Sequence, residues 1–247
     1  MAKISIDMDN IVKCLESIGY EVSDQIRREN NGVNWQIKFF NSGATVTIYD
    51  TNRKNNSVVN GKPEHGEQES LKEIIDKLKC KELEIDPINP IIVDLINQQK
   101  EDYYVDYKRE FHKDKADLLH DILCLSNNTQ NKEAYLIYGV NDKCEVVGVE
   151  SELRSNEIFD FLKTQKFAGS HIPEIEVKNL FYKYKKIAVI ICKSSKHVPF
   201  YLSEKYKGVF AHQIYTRVGD TNTPKTNQAS YSDVEKLWEI HFKRKDE

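Results

Sequence analysis

Apolar residues in the first third of the chain follow two periods. In "NIVKCLESIGY", Ile11, Cys14, Leu15 and Ile18 recur at helical spacing and stop at Gly19, which predicts a short amphipathic helix. The next two runs, "VNWQIKFF" and "ATVTIYD", alternate apolar with polar and are joined by "NSG", where Asn41 and Gly43 suit a tight turn; the pattern predicts a β-hairpin. A further short run, "SVVNGK", predicts another strand, and "ESLKEIIDKLKC" puts Leu71, Ile74, Ile75 and Leu78 on one helical stripe. The order reads α-β-β-β-α. Two prolines in "KELEIDPINP" predict a linker over residues 81–90, dividing the chain near residue 88 into a 1–88 accessory domain and an 89–247 domain.

The second part opens with a predicted helix, "IIVDLINQQK", and continues into "EDYYVDYKREF". "KADLLHDILCLSNN" buries Ala116, Leu119, Ile122 and Leu123 on a helical face and ends in asparagines. "EAYLIYGVND" reads as an apolar strand running into a turn, with "CEVVGVE" as its hairpin partner. "NEIFDFLKTQ" predicts another helix, and "EIEVKNLFYKYKKIAVIICK" a pair of strands around a basic turn at Lys183, Lys185 and Lys186. "QIYTRVGDTN" follows as strand and turn, and "SDVEKLWEIHFK" as a helix capped by Ser232 or Asp233. The fold class is α+β, with a mixed sheet in the second domain.

Charge narrows the partners only partly. There are 36 basic and 39 acidic residues, for a formal charge of -3, and a cut at residue 88 leaves 12 basic and 15 acidic residues before it and 24 of each after it. The surface as a whole is no polyanion sponge, so any nucleic-acid contact is a local patch. The five cysteines show neither CxxC nor CxxH spacing, which argues against a zinc knuckle and a disulfide framework and favours a reducing cytoplasm. The start "MAKISIDMDN" has no signal-peptide core, and no apolar run approaches the ~20 residues of a membrane span.

Candidate chemistry begins at Glu101 and Asp106. Five positions correspond to ~500° of helical rotation, ~140° net, and an odd step along a strand changes face, so the two acids cannot converge on one regular element. A bend is required. With a strand beginning near Tyr103, Tyr104, Asp106 and Lys108 share a face, and Glu101 in the preceding turn folds back over Asp106. A third acid, Asp142, stands where "YLIYGVND" stops. Three carboxylates suit a hard divalent cation, Mg²⁺ or Mn²⁺, which keeps waters for a phosphate and a nucleophile. Each acid also has a plain reading, as a solvated helix end, a strand polar residue or a turn former, and their joint order gives the chemical reading its weight.

These residues resemble the Schlafen-type AlbA_2 domain: "VDYKREF", an amphipathic helix, "YLIYGVNDKCEVVGVE", then "PFYL" and "IYTRVGDTN", in order over residues 97–240. The resemblance implies a metal-dependent endoribonuclease acting on RNA such as tRNA or rRNA, with Glu101, Asp106 and Asp142 as metal ligands. Lys108 then falls on the family lysine that would face the scissile phosphate, and Arg217 on a family arginine near the same sheet. DNA is the other candidate substrate, and a non-catalytic nucleic-acid-binding or regulatory module the other function. A toxin or antiviral defence effector, a homodimer supplying a second lobe, and a defence-complex partner are further implications. Lys183, Lys185 and Lys186 are candidate phosphate contacts; Tyr103, Tyr104 and Tyr107 candidate base-stacking residues. The lone histidines, His112 and His120 among them, are assigned no catalytic part.

The chain departs from the family pattern in places. Asp106 stands for the usual Glu, Tyr107 for Phe and Asn141 for the first Asp of the turn, and "NNTQNKEAY" lacks the two glycines that precede the strand in the family. The N-terminal segment resembles the TBP-like half found at the start of some bacterial ribonucleases H. That likeness implies a binding face with Trp35, Lys38 and Thr47.

Overall fold

The computed structural model describes residues 6–29, 33–50 and 55–243; the first five, part of the predicted non-secretory start, lie outside them. The chain forms two compact units, one of Met1–Gln98 with Leu180–Lys186 and one of Gln99–Asn179 with Ile187–Glu247. It is an α+β protein. Among the described residues no helix is long and apolar enough to cross a membrane.

The first unit runs α1 (Met8–Ser17), β1 (Val22–Arg28), β2 (Asn34–Phe39), β3 (Ala44–Tyr49), β4 (Val58–Gly61), α2 (Glu67–Lys79) and α3 (Asn89–Asn97). Asp7 caps α1 by accepting from the Asn10 N–H at 3.0 Å. The strands form an antiparallel sheet in the order β1-β2-β3-β4. Ile37, Phe39, Ala44, Val46 and Ile48 bury its inner face against Ile11, Leu15, Leu71 and Ile75 of the helices. Each such Leu or Ile contributes roughly 1.5–3 kcal/mol by leaving water. The predicted hairpin, third strand and two helices are all present; β1 is an addition. It carries no alternation to read, because only Val22 and Ile26 are half-buried and the rest of the strand is exposed.

One expectation for this unit changes. Trp35 does not share a face with Lys38: it pairs with Ile48 and packs against the core, whereas Lys38 is exposed and pairs with Thr45 on the opposite face, with Thr47 nearby. Helix α3 also groups with this unit, so the division by contacts falls after Gln98. Its Asn89 side chain explains why. That amide donates to Ser17 O (3.0 Å) and Phe181 O (2.8 Å) and accepts from Phe181 N–H (3.0 Å).

The second unit contains β5 (Val105–Lys108), α4 (Lys115–Ser126), β6 (Ala134–Tyr138), α5 (Ser155–Thr164), β7 (Ile175–Tyr182), β8 (Lys185–Cys192), the two-residue strands β9 (Arg217–Val218) and β10 (Thr221–Asn222), and α6 (Tyr231–Lys243); the β7–β8 tip belongs to the first unit. The main sheet has the order β5-β6-β8-β7, with β5 parallel to β6 and β6 antiparallel to β8. Inner strands are covered on both faces and so read as unbroken apolar runs: all five residues of β6 and the last six of β8 are buried. Asp114 caps α4, and α4 carries the chain across from β5 to β6.

"CEVVGVE" is not a ladder strand; Val146 makes only an isolated bridge to Val140. The segment nevertheless returns onto β6. The N–H groups of Val147 and Gly148 both bond Gly139 O, and a Cβ on Gly139 (φ +94°) would lie 3.1 Å from the Gly148 backbone. Close backbone approach, not pairing, sets these glycines. At the other end of β6, the turn without glycines is built from asparagines. Asn131 adopts the left-handed conformation (φ +49°), while Asn128 donates to Leu125 O and Lys132 O, both at 2.8 Å. Asn tolerates that region and bonds its own backbone, so it does there what glycine would do.

Candidate functional site

The bend needed between Glu101 and Asp106 is a tight turn at Asp102–Val105, closed by backbone bonds in both directions (Asp102 N–H to Val105 O, 3.3 Å; Val105 N–H to Asp102 O, 3.2 Å). Beyond it β5 begins, and Glu101 reaches back along the strand to accept from the Tyr107 N–H at 2.8 Å. Asp106 is buried (3 % exposed) and shares a strand face with Lys108, whose Nζ donates to its Oδ2 at 2.7 Å.

Arg217 joins the two acids. It is 1 % exposed, at the start of β9, and its guanidinium donates four hydrogen bonds to protein groups. Nε donates to Asp102 O (2.8 Å), Nη2 to Glu101 Oε2 (3.0 Å) and Val105 O (3.1 Å), and Nη1 to Asn222 Oδ1 (2.9 Å), with Asp106 Oδ1 3.5 Å from Nη1. All three nitrogens of this side chain are engaged within the protein. It holds the turn and both carboxylates in place.

The cluster extends further than the sequence reading placed it. Asp121, on α4, lies 3.4 Å from Lys108 Nζ, and its Oδ1 accepts from Asn222 Nδ2 at 2.9 Å. Arg217, Asn222, Asp121, Lys108 and Asp106 thereby close a ring of charged and polar contacts. His112 Nε2 donates to Asp121 Oδ2 at 2.9 Å, and a neutral ring then leaves Nδ1 to accept from Tyr138 Oη at 2.8 Å. His120 Nε2 donates to Thr223 O at 2.8 Å, with Nδ1 3.7 Å from Asp121.

Electrostatics separates the acids. Burial raises the Glu101 carboxyl above its ordinary value and the Asp106 charge adds to this, against the Tyr107 N–H and Arg217. Burial alone would raise Asp121 too, but hydrogen bonds from His112 and His120 and the Lys108 charge override it and hold Asp121 well below the carboxylate range. Lys108 loses hydration by burial, yet Asp121 and Asp106 outweigh that and raise it above the usual lysine value.

Asp142 does not join this ring. It is exposed in the turn after β6, and no described residue bonds its carboxylate. Asn141 organises that turn: its Oδ1 accepts from Lys143 N–H (3.0 Å) and Glu145 N–H (2.9 Å), and its Nδ2 donates to Glu145 Oε2 (2.9 Å). An Asp there would lose the last bond. The turn still senses the site, since burial and the Glu101 charge both raise the Cys144 thiol. Among the described residues, no three His, Cys, Asp or Glu side chains are placed to hold a metal ion together. With Asp106 already engaged by Lys108 and Arg217, the arrangement does not fit a three-carboxylate cation site.

The predicted basic turn lies in the first unit. Lys183 Nζ donates to Asn41 O at 2.8 Å and its backbone N–H to Ile18 O, so this cation is tied to its own unit. Lys185 sits 3.8 Å from Glu64 and over the Tyr184 ring; Lys186 is exposed. Of the tyrosines, Tyr107 is buried, whereas Tyr103 and Tyr104 are half-buried, the latter under Lys132. Asp121 and His112 went unassigned in the sequence reading. A usable signal was there: "HD" interrupts the apolar run "LLHDILCL" of a helix with nine buried residues, and a buried charge needs partners.

The second unit is thus a mixed-sheet α+β domain whose first strand begins at a Glu–Asp pair clamped by a buried arginine. Residues 101–226 match the family described as Schlafen, AlbA_2, just over half of the chain, and the chain belongs to that family. Domains of this family commonly bind nucleic acid. Among solved structures, the chain is similar to the N-terminal domain of a putative ATP-dependent DNA helicase RecG-related protein from Nitrosomonas europaea, at 16 % identity and a TM-score of 0.35, covering 57 % of this chain and 91 % of that one. No curated protein matches it.

Proposed function

We propose that this protein is an endoribonuclease that hydrolyses phosphodiesters in structured RNA such as tRNA. One observation carries the reading: the turn at Asp102–Val105 brings Glu101 within reach of Asp106 and Lys108, with Arg217 bonded to both the turn and Glu101. Lys108 is the cation of the ring that still meets solvent, its side chain 31 % exposed, and it is suited to offset charge on a phosphate in the transition state. Arg217 and Asp121 position that wall. Mg²⁺ or Mn²⁺ belongs to this proposal through the family resemblance, with Glu101 and Asp106 as the residues that would hold it. A toxin or defence role belongs to the same proposal and rests on the family alone.

A second reading, a non-catalytic RNA-binding module, has its own support. Asp106 is already compensated by Lys108 and Arg217, which suits a structural charge cluster as well as a reactive one. One experiment separates the two. Purified protein is incubated with labelled tRNA, rRNA and single-stranded DNA in Mn²⁺, Mg²⁺ or EDTA, beside Lys108→Ala, Asp106→Ala and Asp142→Ala. Cleavage lost in Lys108→Ala and Asp106→Ala supports the nuclease, and loss in Asp142→Ala as well would bring the three-carboxylate cation site back. Binding without cleavage in every condition favours the module, and cleavage retained by Lys108→Ala and Asp106→Ala sinks the site.

A further inference from the structure

Beside the charged ring, the second unit has an open hollow of about 670 Å³, within the ~300–1,000 Å³ typical of ligand sites. Its wall combines the half-buried Phe111 with two cations, Lys115 and Arg154, and with His112, over a floor that includes the core residue Phe161. Lys115 Nζ lies 5.2 Å from the Phe161 centroid, so charge sits directly over an aromatic face. His112 is shared with the ring, being the residue bonded to Asp121 at 2.9 Å.

The same alternation of rings and cations continues outside the hollow. Phe161 lies 5.4 Å from the Tyr206 ring; Lys207 stands over Tyr206 at 5.8 Å, and Lys205 over Phe210 at 4.3 Å. Phe210 is 40 % exposed, so its ring is open to a planar partner. Two of the cations are engaged by surface acids, Arg154 by Glu157 (3.0 Å) and Lys207 by Asp114 (2.7 Å), and exposed pairs of this kind are worth about 0–1 kcal/mol. A polyanion can displace them at little cost.

We propose that the hollow takes one unpaired nucleobase of an RNA loop or single strand, and that the Tyr206–Phe210 surface carries the adjoining backbone. A base is flat and largely apolar on its faces, which suits the half-buried Phe111 and the apolar floor beneath it. Its phosphates are anionic, which suits Lys115, Arg154, Lys205 and Lys207. Rim carboxylates of Glu152 and Glu157 offer acceptors to an exocyclic amino group. Paired bases cannot enter, because their faces are stacked within the helix. This inference rests on the proposed action on RNA, and it gives that activity a substrate preference: a site next to an unpaired base.

The test uses the full chain and a stem–loop RNA with a fluorescent purine analogue in the loop, beside a blunt duplex of the same stem and a single-stranded DNA. Variants are Lys115→Ala with Arg154→Ala, and Ser151→Trp to fill the hollow from its exposed rim; all three positions are exposed, and unchanged thermal unfolding confirms intact folding. Expected are a fluorescence change on binding, affinity for the stem–loop and the single strand above that for the duplex, and a loss of ~10-fold or more in either variant. Equal affinity for stem–loop and duplex, or folded variants that bind like the parent, would overturn the inference. Its failure is distinguishable from failure of the nuclease reading: cleavage that is lost in Lys108→Ala but indifferent to the hollow variants removes the base site and leaves the nuclease standing.

Discussion

Replacing Arg217 with Met removes the one residue that touches Glu101, Asp106 and the turn between them while preserving most of the buried volume. Two carboxylates lose a partner, and the carbonyls of Asp102 and Val105 lose donors. Breaking a buried ion pair from one side costs about 3–5 kcal/mol. Glu101 keeps 28 % of its side chain in contact with water and Asp106 keeps Lys108, so the expected loss is nearer the lower figure, ~3 kcal/mol. Against a total of roughly 5–15 kcal/mol that is a large fraction, and it should lower the unfolding midpoint by about 6–12 °C. The loss should also depend on pH. Glu101 is raised in the folded protein, so its contribution to stability is fully present below its unfolded value of about 4.3 and is lost as pH rises through the folded one; the Arg217→Met penalty therefore grows towards neutrality. Urea unfolding at pH 4 and pH 7, repeated in a Glu101→Gln background, measures both effects, and the Gln background should recover at least ~0.5 kcal/mol of the loss. A penalty below ~1 kcal/mol, or one identical in both backgrounds and at both pH values, would refute the assignment of Arg217 as the clamp on this acid pair.

Three further outcomes follow from single residues. Asp121 is depressed in the folded state, so its stabilisation is present above about pH 3.9 and fades as pH falls further; Asp121→Asn should lower stability at pH 7 and flatten the acid limb of the stability profile, read by thermal unfolding from pH 3 to 7. Asn127 is fully buried, donates to Phe200 O and Tyr215 O and accepts from Phe200 N–H, so Asn127→Ala should cost ~3 kcal/mol in urea unfolding, whereas neighbouring exposed positions should cost less than about 0.5 kcal/mol. Gly139→Ala puts a Cβ against the Gly148 backbone at positive φ, and should cost more than ~1 kcal/mol and raise hydrogen exchange in the 141–145 turn before it does so elsewhere.

What could be read from the sequence follows from how each signal is written into it. Helices α1, α2, α4 and α5 bury a stripe, and β2, β3, β6 and β8 bury a face or both, so hydrophobic spacing exposes them directly. β1 was hidden because an edge strand with five exposed residues has no apolar code, and the return at "CEVVGVE" was misread because alternation there serves close packing on Gly139 instead of a ladder. The site divides along the same line. Glu101 and Asp106 were legible because elementary geometry forbids them from meeting on one element and so demands the turn that is found. Arg217, 111 positions beyond Asp106, could be placed near the sheet by resemblance, but its four hydrogen bonds and its 3.5 Å approach to Asp106 are tertiary facts that make it a clamp on the turn and both acids. The ring through Asn222, Asp121 and His112 was invisible for a related reason: each member is unremarkable in its own segment, and the charge on Asp121 acquires meaning only when Lys108 and two histidines surround it. The consequence for function is physical. Lys108 is held from two sides by Asp106 and Asp121, so a shortened acid at position 106 need not loosen its ammonium, because the second carboxylate on α4 fixes the same group. If Lys108 is the group that meets the phosphate, Asp106→Asn should reduce cleavage less than Asp106→Asn combined with Asp121→Asn, and by a margin larger than the product of the single effects.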